Sequence, residues 1–255
     1  MIIHNVVQGS AEWHELRANH RTASEAPVMA GLSKLQTRLA LLDSKKTGMS
    51  KEVSFFTQRI FDKGHAVEDL ARVIVEKMLG EELFPIVGTR GAYLASMDGA
   101  NLMCDTLFEH KQWNEELAAA VRAKELDPQY WMQLEQQLYV SGAERVIFVC
   151  SDGTEENMVW MEYRAVPGRW EQIAAGWDLF MADLSTHVVT EAKPKVVAEA
   201  LTELPSLSIV LSGEVKSSNL VVYKDFALQF VESINTDLQN DQDFANAEAA
   251  VKFCE

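Results

Sequence analysis

A glutamate and a lysine lie two residues apart in the apolar stretch "MDGANLMCDTLFEHKQW", residues 97–113. In a β-strand the side chains alternate between two faces, so Glu109 and Lys111 share one face, about 7 Å apart, and His110 faces the other. If the preceding strand pairs antiparallel with the strand that carries Glu109, the carboxylate of Asp98 lies beside Glu109. Two carboxylates suit Mg²⁺, and a nearby lysine can orient or help to deprotonate a water molecule. These residue types favour metal-assisted hydrolysis of a phosphate ester.

The spacing by itself is a weak signal, because the short pattern D-x(n)-E-x-K arises by chance in many chains. The competing interpretation is a solvated pair of Glu109 and Lys111 on an exposed strand, worth less than about 1 kcal/mol. Both interpretations stay open on these residues alone.

Capping signals predict the elements at the start of the chain. Ser10 is expected to cap a short helix over residues 10–20. Thr22 and Glu25 form a T-x-x-E capping box that is expected to open a second short helix. Residues 33–47 are predicted to form a further helix that ends near a glycine.

A long amphipathic pattern predicts a helix over residues 53–79. On such a helix Gly64, Glu68 and Arg72 lie on one face, because they are four residues apart. Gly64 is a candidate for a break or a kink. Glu68 and Arg72 also have the spacing of an ordinary helix salt bridge, which is the alternative to a functional role.

Strand and turn signals alternate with helical periodicity from residue 84 onward. Three strands are predicted within residues 84–112, with turns at Gly91 and at Asp98-Gly99. The remaining predicted elements are helices over residues 113–123, 128–142 and 168–186, and a hairpin formed by "RVIFVC" and "MVWMEYRA". This order predicts an α/β (α+β) fold with a mixed β-sheet flanked by helices.

Composition limits the class of protein. The 255 residues are 47% hydrophobic and 24% charged, which suffices for one sizeable core. We see neither an apolar run for a membrane helix nor a signal peptide. The three scattered cysteines lack a CxxC pair, which favours a reducing cytosol and argues against a zinc or iron–sulfur site. The net charge of −15 argues only weakly against nucleic acid, because a nuclease needs positive potential only along its substrate track.

The regular pattern of predicted helices and strands ends near residue 187, where a linker-like segment begins. Residues 1–186 are expected to form one domain, and residues 187–255 a small C-terminal α/β extension with a linker, one strand and two helices. The helical pattern still runs at the last residue, so the natural chain is expected to continue.

Four motifs occur in a fixed order, and they shift the balance toward the functional interpretation. They are "QGSAEWHELRANHRTASEAPVMAG" at residues 8–31, "GHAVEDLAR" at 64–72, "SMDG" with "EHK" in the core, and "QLEQQLYVSG" at 133–142. In this order they resemble the lambda-exonuclease family (YqaJ-type viral recombinases) of the PD-(D/E)xK nuclease superfamily. The resemblance covers roughly residues 5–185 and implies a PD-(D/E)xK nuclease core.

The resemblance implies a role for each residue of the catalytic motifs. Asp98 and Glu109 would be direct ligands of Mg²⁺, for which Mn²⁺ can substitute, with two ions per site. The backbone carbonyl of His110 would be a further ligand, and Glu68 would act through a water molecule. Lys111 would position and activate the nucleophilic water.

The resemblance also implies a site for the 5′-terminal phosphate, formed by Arg17, Thr22 and Ser24, and it places Gln133 near the scissile bond. An arginine and two hydroxyls at a helix start are suitable donors for an anion. Each residue has a structural alternative. Thr22 and Ser24 would cap a helix, Arg17 would pair with a glutamate of its own helix, and Gln133 would be an ordinary hydrogen-bonding residue.

The implied activity is 5′–3′ exonuclease digestion of double-stranded DNA ends, which leaves a 3′ overhang for a phage single-strand annealing protein. The family forms rings around DNA, so a homo-oligomeric ring, by analogy a trimer, is expected in the cytoplasm of a bacterial host of a phage or prophage. The alternatives are a PD-(D/E)xK endonuclease of restriction or repair type and a non-catalytic DNA-binding scaffold. The intact set of ionic side chains argues against the scaffold.

Two positions depart from the family pattern. Met97 replaces a common proline, which shapes a turn and does no chemistry. Glu135 replaces the middle glutamine of the helix motif, and a carboxylate near a phosphate path is unexpected. A contact between DNA and this position is therefore in doubt.

Overall fold

The computed structural model describes residues 1–48 and 55–189, with side chains described for 1–48 and 64–189. The predicted strand and helices beyond residue 189 lie outside the described residues, so the predicted boundary after residue 186 stays a prediction. Across the described residues, no helix combines the length and the apolarity that a membrane crossing requires.

A seven-stranded mixed sheet forms the centre of the described chain. Its strands are β1 (Ile2–His4), β2 (Arg21–Thr22), β3 (Phe84–Arg90), β4 (Tyr93–Ala100), β5 (Thr106–Gln112), β6 (Arg145–Ser151) and β7 (Met158–Tyr163). They are arranged in the order β1-β3-β4-β5-β6-β7, and β2 pairs with β4. The β2–β4 and β5–β6 pairs are parallel and the others antiparallel, which confirms the predicted mixed sheet.

Seven α-helices are described around this sheet. They are α1 (Ala11–Asn19), α2 (Ala26–Met29), α3 (Arg38–Thr47), α4 (Phe55–Leu79), α5 (Glu115–Ala123), α6 (Pro128–Ser141) and α7 (Arg169–Thr186). The parallel β5–β6 pair needs a crossover connection, and α5 and α6 supply it.

Alternate residues of the central strands are covered by different helices. Leu107 and Phe148 pack in the cluster that includes residues of α5 and α6, whereas Phe108 and Ile147 pack with residues of α4. Both faces of the central strands are thus buried, and the burial of each large apolar side chain stabilises the fold by about 1.5–3 kcal/mol. The alternation aims Glu109 at α6, because Glu109 follows Leu107 on the same face.

The predicted caps are confirmed at one helix and wrong at the next. The Ser10 hydroxyl accepts a hydrogen bond from the backbone N–H of Trp13, as expected for an N-cap of α1. The predicted T-x-x-E capping box is wrong, since Thr22 makes no side-chain cap and a 3₁₀ turn, Ala23–Glu25, precedes α2. The carboxylate of Glu25 is instead engaged by two cations.

Two helix boundaries also differ from expectation. Helix α3 begins at Arg38 rather than near residue 33, because the Thr37 hydroxyl caps it by accepting from the backbone N–H of Ala40. Helix α4 runs without a break through Gly64, so the predicted break is wrong. An ideal Cβ at Gly64 would lie 3.2 Å from the amide nitrogen of Gln112, which gives the glycine a packing role at α4.

The turn predicted at Asp98-Gly99 is wrong, because both residues lie inside β4. The chain reverses after Ala100, where the side-chain oxygen of Asn101 accepts from the backbone N–H groups of Asp105 and Thr106. This polar hub replaces the expected glycine turn. Asp98 consequently lies within β4, at the point where the register between β3 and β4 shifts opposite Phe84 and Ile86.

Candidate active site

One cavity of about 300 Å³ is lined by residues of α1, β2, α4, β4, β5 and α6. Every residue that the sequence selected lines it: Arg17, Thr22, Ser24, Glu68, Asp98, Glu109, His110, Lys111 and Gln133. These side chains form two groups within the cavity. The carboxylate cluster consists of Glu68, Asp98 and Glu109, and the arginine corner consists of Arg17, Thr22 and Ser24. Tertiary folding therefore brings together residues that are separated by up to 116 positions along the chain.

Glu109 is almost fully buried, and both oxygens of its carboxylate accept hydrogen bonds. The ammonium of Lys111 and the amide nitrogen of Gln133, at 2.7 Å, contact Oε1. The amide nitrogen of Gln137 donates to Oε2 at 2.6 Å. The two glutamines reach one carboxylate because residues four apart on a helix share a face. The donors hold the Glu109 carboxylate in one orientation.

Asp98 lies where β4 and β5 separate. The register between these strands pairs Gly99 with Phe108, and beyond this pair Oδ2 of Asp98 accepts from the backbone N–H of His110 at 2.9 Å. The guanidinium of Arg72 donates to the backbone carbonyl of Asp98 at 3.1 Å. The side chain and the main chain of Asp98 are thus both fixed at the cavity wall.

Arg72 connects α4 to β4 and does not form the helix salt bridge with Glu68 that was the alternative to a functional role. Its guanidinium pairs with Asp69 on the same helix and with the Asp98 carbonyl across the interface. Glu68 is half-buried at the cavity, and within the part of the chain that the structure describes no hydrogen bond engages its carboxylate. This leaves the Glu68 carboxylate available for a ligand.

Burial and neighbouring charges raise the pKa of two carboxylates of the cluster, Glu68 and Asp98. Burial, followed by the repulsion of Glu109, raises the pKa of Glu68 to about 7. Burial, followed by the charges of Glu109 and Glu68, raises the pKa of Asp98 well above its usual range. Such mutual repulsion is typical of carboxylates arranged to share a cation.

Lys111 carries the positive charge of this cluster. Burial opposes its charge, but the attraction of Glu109, Asp98 and Glu68 outweighs burial and raises the pKa of the Lys111 ammonium. Its side chain is 31% exposed, so the ammonium reaches the cavity while it contacts Glu109. At neutral pH Lys111 is therefore an ammonium ion that can orient a water molecule or balance the charge on a phosphate.

The imidazole of His110 points away from the carboxylates, as strand alternation predicts. Its Nε2 lies 3.0 Å from the Ser151 hydroxyl, and its ring stacks with Phe108. Burial lowers the pKa of His110 to about 4, which keeps the imidazole neutral. The side chain of His110 is thus part of the core, and its backbone faces the cavity.

The arginine corner is organised around the guanidinium of Arg17. It lies 4.5 Å from the centre of the Trp13 ring, donates to the Ser24 hydroxyl at 3.1 Å and pairs with Glu25 at 3.2 Å. Arg17 therefore pairs with a carboxylate outside α1 and not with a glutamate of its own helix. Stacking on Trp13 fixes the plane of the guanidinium.

Glu25 has a second cationic partner. The Lys45 ammonium lies 2.8 Å from the Glu25 carboxylate and 2.9 Å from the carbonyl of His20, and it also contacts the carbonyl of Arg17 at 2.5 Å. Lys45 thereby ties α3 to the end of α1, where a cation is favourable for the helix dipole. Two cations around one carboxylate leave the corner with an excess positive charge.

Thr22 contributes an unpartnered donor to the corner. It is fully buried, lines the cavity, and its hydroxyl has no hydrogen-bond partner among the described residues. Leaving a buried hydroxyl unpaired costs about 1–3 kcal/mol. Since the hydroxyl caps no helix, an anion in the cavity is a suitable partner for it.

The doubt about Glu135 is resolved by its direction on α6. Two residues along a helix rotate the side chain by about 200°, so Glu135 points away from the side that carries Gln133 and Gln137. Its carboxylate accepts from the Tyr163 hydroxyl at 2.6 Å and from the backbone N–H of Val166 at 2.8 Å. Glu135 is a buried link to the end of β7 and does not line the cavity.

Sequence reasoning did not select several residues at or behind the cavity, and three of them make hydrogen bonds or ring contacts there. They are Trp13, Ser96 and Gln137. Trp13 donates to the Ser96 hydroxyl at 3.1 Å, and its ring lies against the guanidinium of Arg17. Gln137 belongs to the quoted helix motif, and its spacing of four from Gln133 was the signal that could have identified it.

Replacement of Glu68 by glutamine is expected to stabilise the metal-free protein at pH 8. Between pH 4.5 and about 7 the folded state holds a proton on Glu68 that the unfolded state has lost, so the stability of the wild type falls as the pH rises. Allowing for solvent screening of a half-buried group, glutamine recovers about 1–2 kcal/mol. Denaturant unfolding in EDTA at pH 5 and pH 8 measures this, and the gain should be small at pH 5.

The control for this measurement is Glu82→Gln, which removes an exposed carboxylate between α4 and β3. It should change stability by less than about 0.5 kcal/mol at either pH. Equal stability of wild type and Glu68→Gln at pH 8 would show that the carboxylates do not repel one another as described.

The donor set of the cavity is compatible with a divalent cation. Within residues 1–48 and 64–189, no three His, Cys, Asp or Glu side chains already stand in a closed metal-binding arrangement. The oxygens of Asp98 and Glu109 are held by protein donors, one of which is the Lys111 ammonium. A hard cation suits three oxygen donors whose charges repel, so the residues present fit Mg²⁺ or Mn²⁺.

Comparison with known proteins relates this chain to a family. Residues 12–144 match the YqaJ-like viral recombinase domain. The fold also resembles that of an alkaline exonuclease (LHK-Exo) from Laribacter hongkongensis, with 21% identity and a TM-score of 0.56, and that of LHK-Exo in complex with dAMP, with 18% identity and a TM-score of 0.55. Each alignment covers 69% of this chain and 93% of the other. No curated protein sequence matches this chain.

The family match spans more than half of the chain and includes all four motifs at least in part. The structural likeness shows that the chain shares the fold of the alkaline exonuclease LHK-Exo, and the family match confirms the resemblance inferred from the motifs. The chain belongs to the family of the YqaJ-like viral recombinase domain.

Proposed function

We propose that this protein is a metal-dependent 5′–3′ exonuclease that digests one strand of double-stranded DNA from its end. Family membership and the shared fold support a nuclease of the lambda-exonuclease type. The observation that carries the finer proposal is the single cavity in which the arginine corner and the carboxylate cluster meet. A site for a terminal phosphate beside a site for hydrolysis suits an enzyme that works from ends.

The proposed ligands of Mg²⁺ are Asp98, Glu109 and the backbone carbonyl of His110, with Glu68 acting through water. Within an antiparallel pair, the N–H and C=O of one residue project to the same side. The N–H of His110 reaches Asp98, so the carbonyl of His110 opens toward the same carboxylate. When bound, the metal would lower the pKa of a water molecule and neutralise charge on the phosphate. Two ions per site, with Mn²⁺ as a substitute, are part of the proposal.

The remaining cavity residues bind and orient the substrate. Arg17 and the hydroxyls of Thr22 and Ser24 hold the 5′-terminal phosphate, because together they supply a planar cation and two short donors. The Lys111 ammonium orients the attacking water beside Glu109. Gln133, whose amide contacts Glu109 at the cavity wall, lies near the scissile bond.

The biological setting follows from the same proposal. Digestion of the 5′ strand leaves a 3′ overhang, which is the substrate of a phage single-strand annealing protein. We place the enzyme in the bacterial cytoplasm during phage or prophage recombination, as a ring-shaped homo-oligomer, by analogy a trimer. A ring explains how a chain with net charge −15 can hold DNA, since only the channel must be positive.

Polarity is tested with end-labelled linear duplex that carries either a 5′-phosphate or a 5′-hydroxyl. With Mg²⁺ we expect mononucleotides released from 5′-phosphorylated ends and no cleavage in EDTA. Cleavage of circular duplex would favour the endonuclease. No cleavage with Mg²⁺ or Mn²⁺ would favour the non-catalytic scaffold.

A further inference from the structure

Gln137 is fully buried behind the cavity and makes two hydrogen bonds through one nitrogen. Its Nε2 donates to Oε2 of Glu109 at 2.6 Å and to the backbone carbonyl of Ser96 at 3.2 Å. The first acceptor belongs to β5 and the second to β4. A single amide on α6 therefore joins both strands that carry the carboxylate cluster.

This link lies where the two strands lack a ladder. Within these two described strands, the register pairs are Gly99 with Phe108 and Ala100 with Leu107. Beyond Gly99 the strands separate and open the space that the carboxylates face. The Gln137 amide spans this gap and fixes Glu109 relative to the main chain of β4 at Ser96.

The side-chain amide of Gln137 has the number of donors that a link between β4 and β5 requires. The amide nitrogen has two hydrogens, and each has an acceptor. The amide oxygen is buried without a partner among the described residues, which costs about 1–3 kcal/mol. Reversing the amide would aim that oxygen at two acceptors. The cost of burying this oxygen is explained if the two hydrogen bonds of the amide nitrogen have a function beyond packing.

Gln137 is distinct from Gln133, its neighbour one turn away on α6. Gln133 lines the cavity and shares Oε1 of Glu109 with the Lys111 ammonium. Gln137 does not line the cavity and contacts the opposite oxygen, Oε2. It can therefore act only through its two acceptors, the carboxylate of Glu109 and the main chain of Ser96.

We propose that Gln137 is a positioning residue that orients the carboxylate of Glu109 for the divalent cation. The inference rests on the metal site of the proposed function. Residues that hydrogen-bond to a ligand from behind typically change metal affinity or activity by about 10–100-fold when they are replaced. The hydrogen bond from Gln137 to Oε2 restricts the rotation of the Glu109 carboxylate.

The test compares two glutamines that are adjacent on α6 and equally buried. Gln136 is also fully buried, and its amide donates to the backbone carbonyls of Arg21 and Leu94 without contact to a carboxylate. Gln137→Met and Gln136→Met each remove a buried amide and keep a side chain of similar size. The full-length chain is titrated with Mn²⁺ by calorimetry, and the melting temperature of each variant is measured without metal.

We expect Gln137→Met to weaken Mn²⁺ binding by about 10–100-fold, whereas Gln136→Met lowers the melting temperature and keeps wild-type Mn²⁺ affinity. If Gln137→Met does not fold, Gln137→Asn serves instead, because its amide is one methylene shorter and cannot span both acceptors. Wild-type affinity in a folded Gln137 variant would overturn the inference and leave the metal site intact. If the wild type itself binds no Mn²⁺, both the metal site and the role of Gln137 are wrong.

Discussion

Lys111→Met is expected to lower the rate of DNA hydrolysis by roughly 10³-fold while Mn²⁺ binding is retained, a loss in the range measured for groups that orient or transfer protons. The ammonium contacts Glu109, and the cluster raises its pKa, so the wild type presents a full positive charge to the cavity. Methionine keeps the length of the side chain and removes the charge. Single-turnover cleavage of 5′-phosphorylated duplex measures the rate, and calorimetry measures the Mn²⁺ affinity.

The control is Asp98→Asn, which should lose both cleavage and Mn²⁺ binding. Asp98 lines the cavity and accepts from the backbone N–H of His110, and a neutral amide is a poorer ligand for a hard cation. Methionine also removes the competing cation from Glu109, so Mn²⁺ affinity in Lys111→Met should equal or exceed that of the wild type. Wild-type cleavage by Lys111→Met would exclude the lysine from the mechanism.

Arg17→Ala is expected to abolish the preference for 5′-phosphorylated ends. A hydrogen bond to a charged group contributes about 1.5–3 kcal/mol, which corresponds to a loss of roughly 10–150-fold in kcat/KM for phosphorylated duplex. Duplex with a 5′-hydroxyl should change little, because it lacks the dianion that Arg17 meets. The ratio of kcat/KM for the two ends is the measurement.

Two further variants sharpen this test. Arg17→Lys keeps a positive charge but loses the planar fork that contacts Ser24 and Glu25, so an intermediate ratio is expected. Arg164→Ala removes an exposed arginine that pairs with Glu162 outside the cavity, and it should keep the wild-type ratio. If Arg17→Ala still prefers phosphorylated ends, the arginine corner does not bind the phosphate.

Local periodicity was sufficient for much of the fold. The alternation of a strand places Glu109 and Lys111 on one face and the His110 ring on the other, whatever the strand packs against. In the same way, the helix period predicted the long helix that carries Glu68. Such regularities depend on backbone geometry over a few residues, and the sequence displays them directly.

Contacts between distant segments could not be predicted in this way. Glu25 has the spacing of a capping residue, yet it pairs with Arg17 and Lys45, because α3 brings a buried ammonium to it. Glu135 and Gln137 are two residues apart, but one faces β7 and the other faces Glu109. A side-chain donor bonds to whichever acceptor the packing presents, and that choice is made only in the folded chain.

By itself the sequence determined which side chains are present for chemistry, their order, and the faces of the strands and helices on which they lie. The tertiary structure decided where Asp98 sits, which donors hold Glu109, and how far the pKa of Glu68 rises. The physical reason is that periodicity is a property of neighbouring residues. Burial and mutual repulsion arise only when segments far apart in the chain enclose the same cavity.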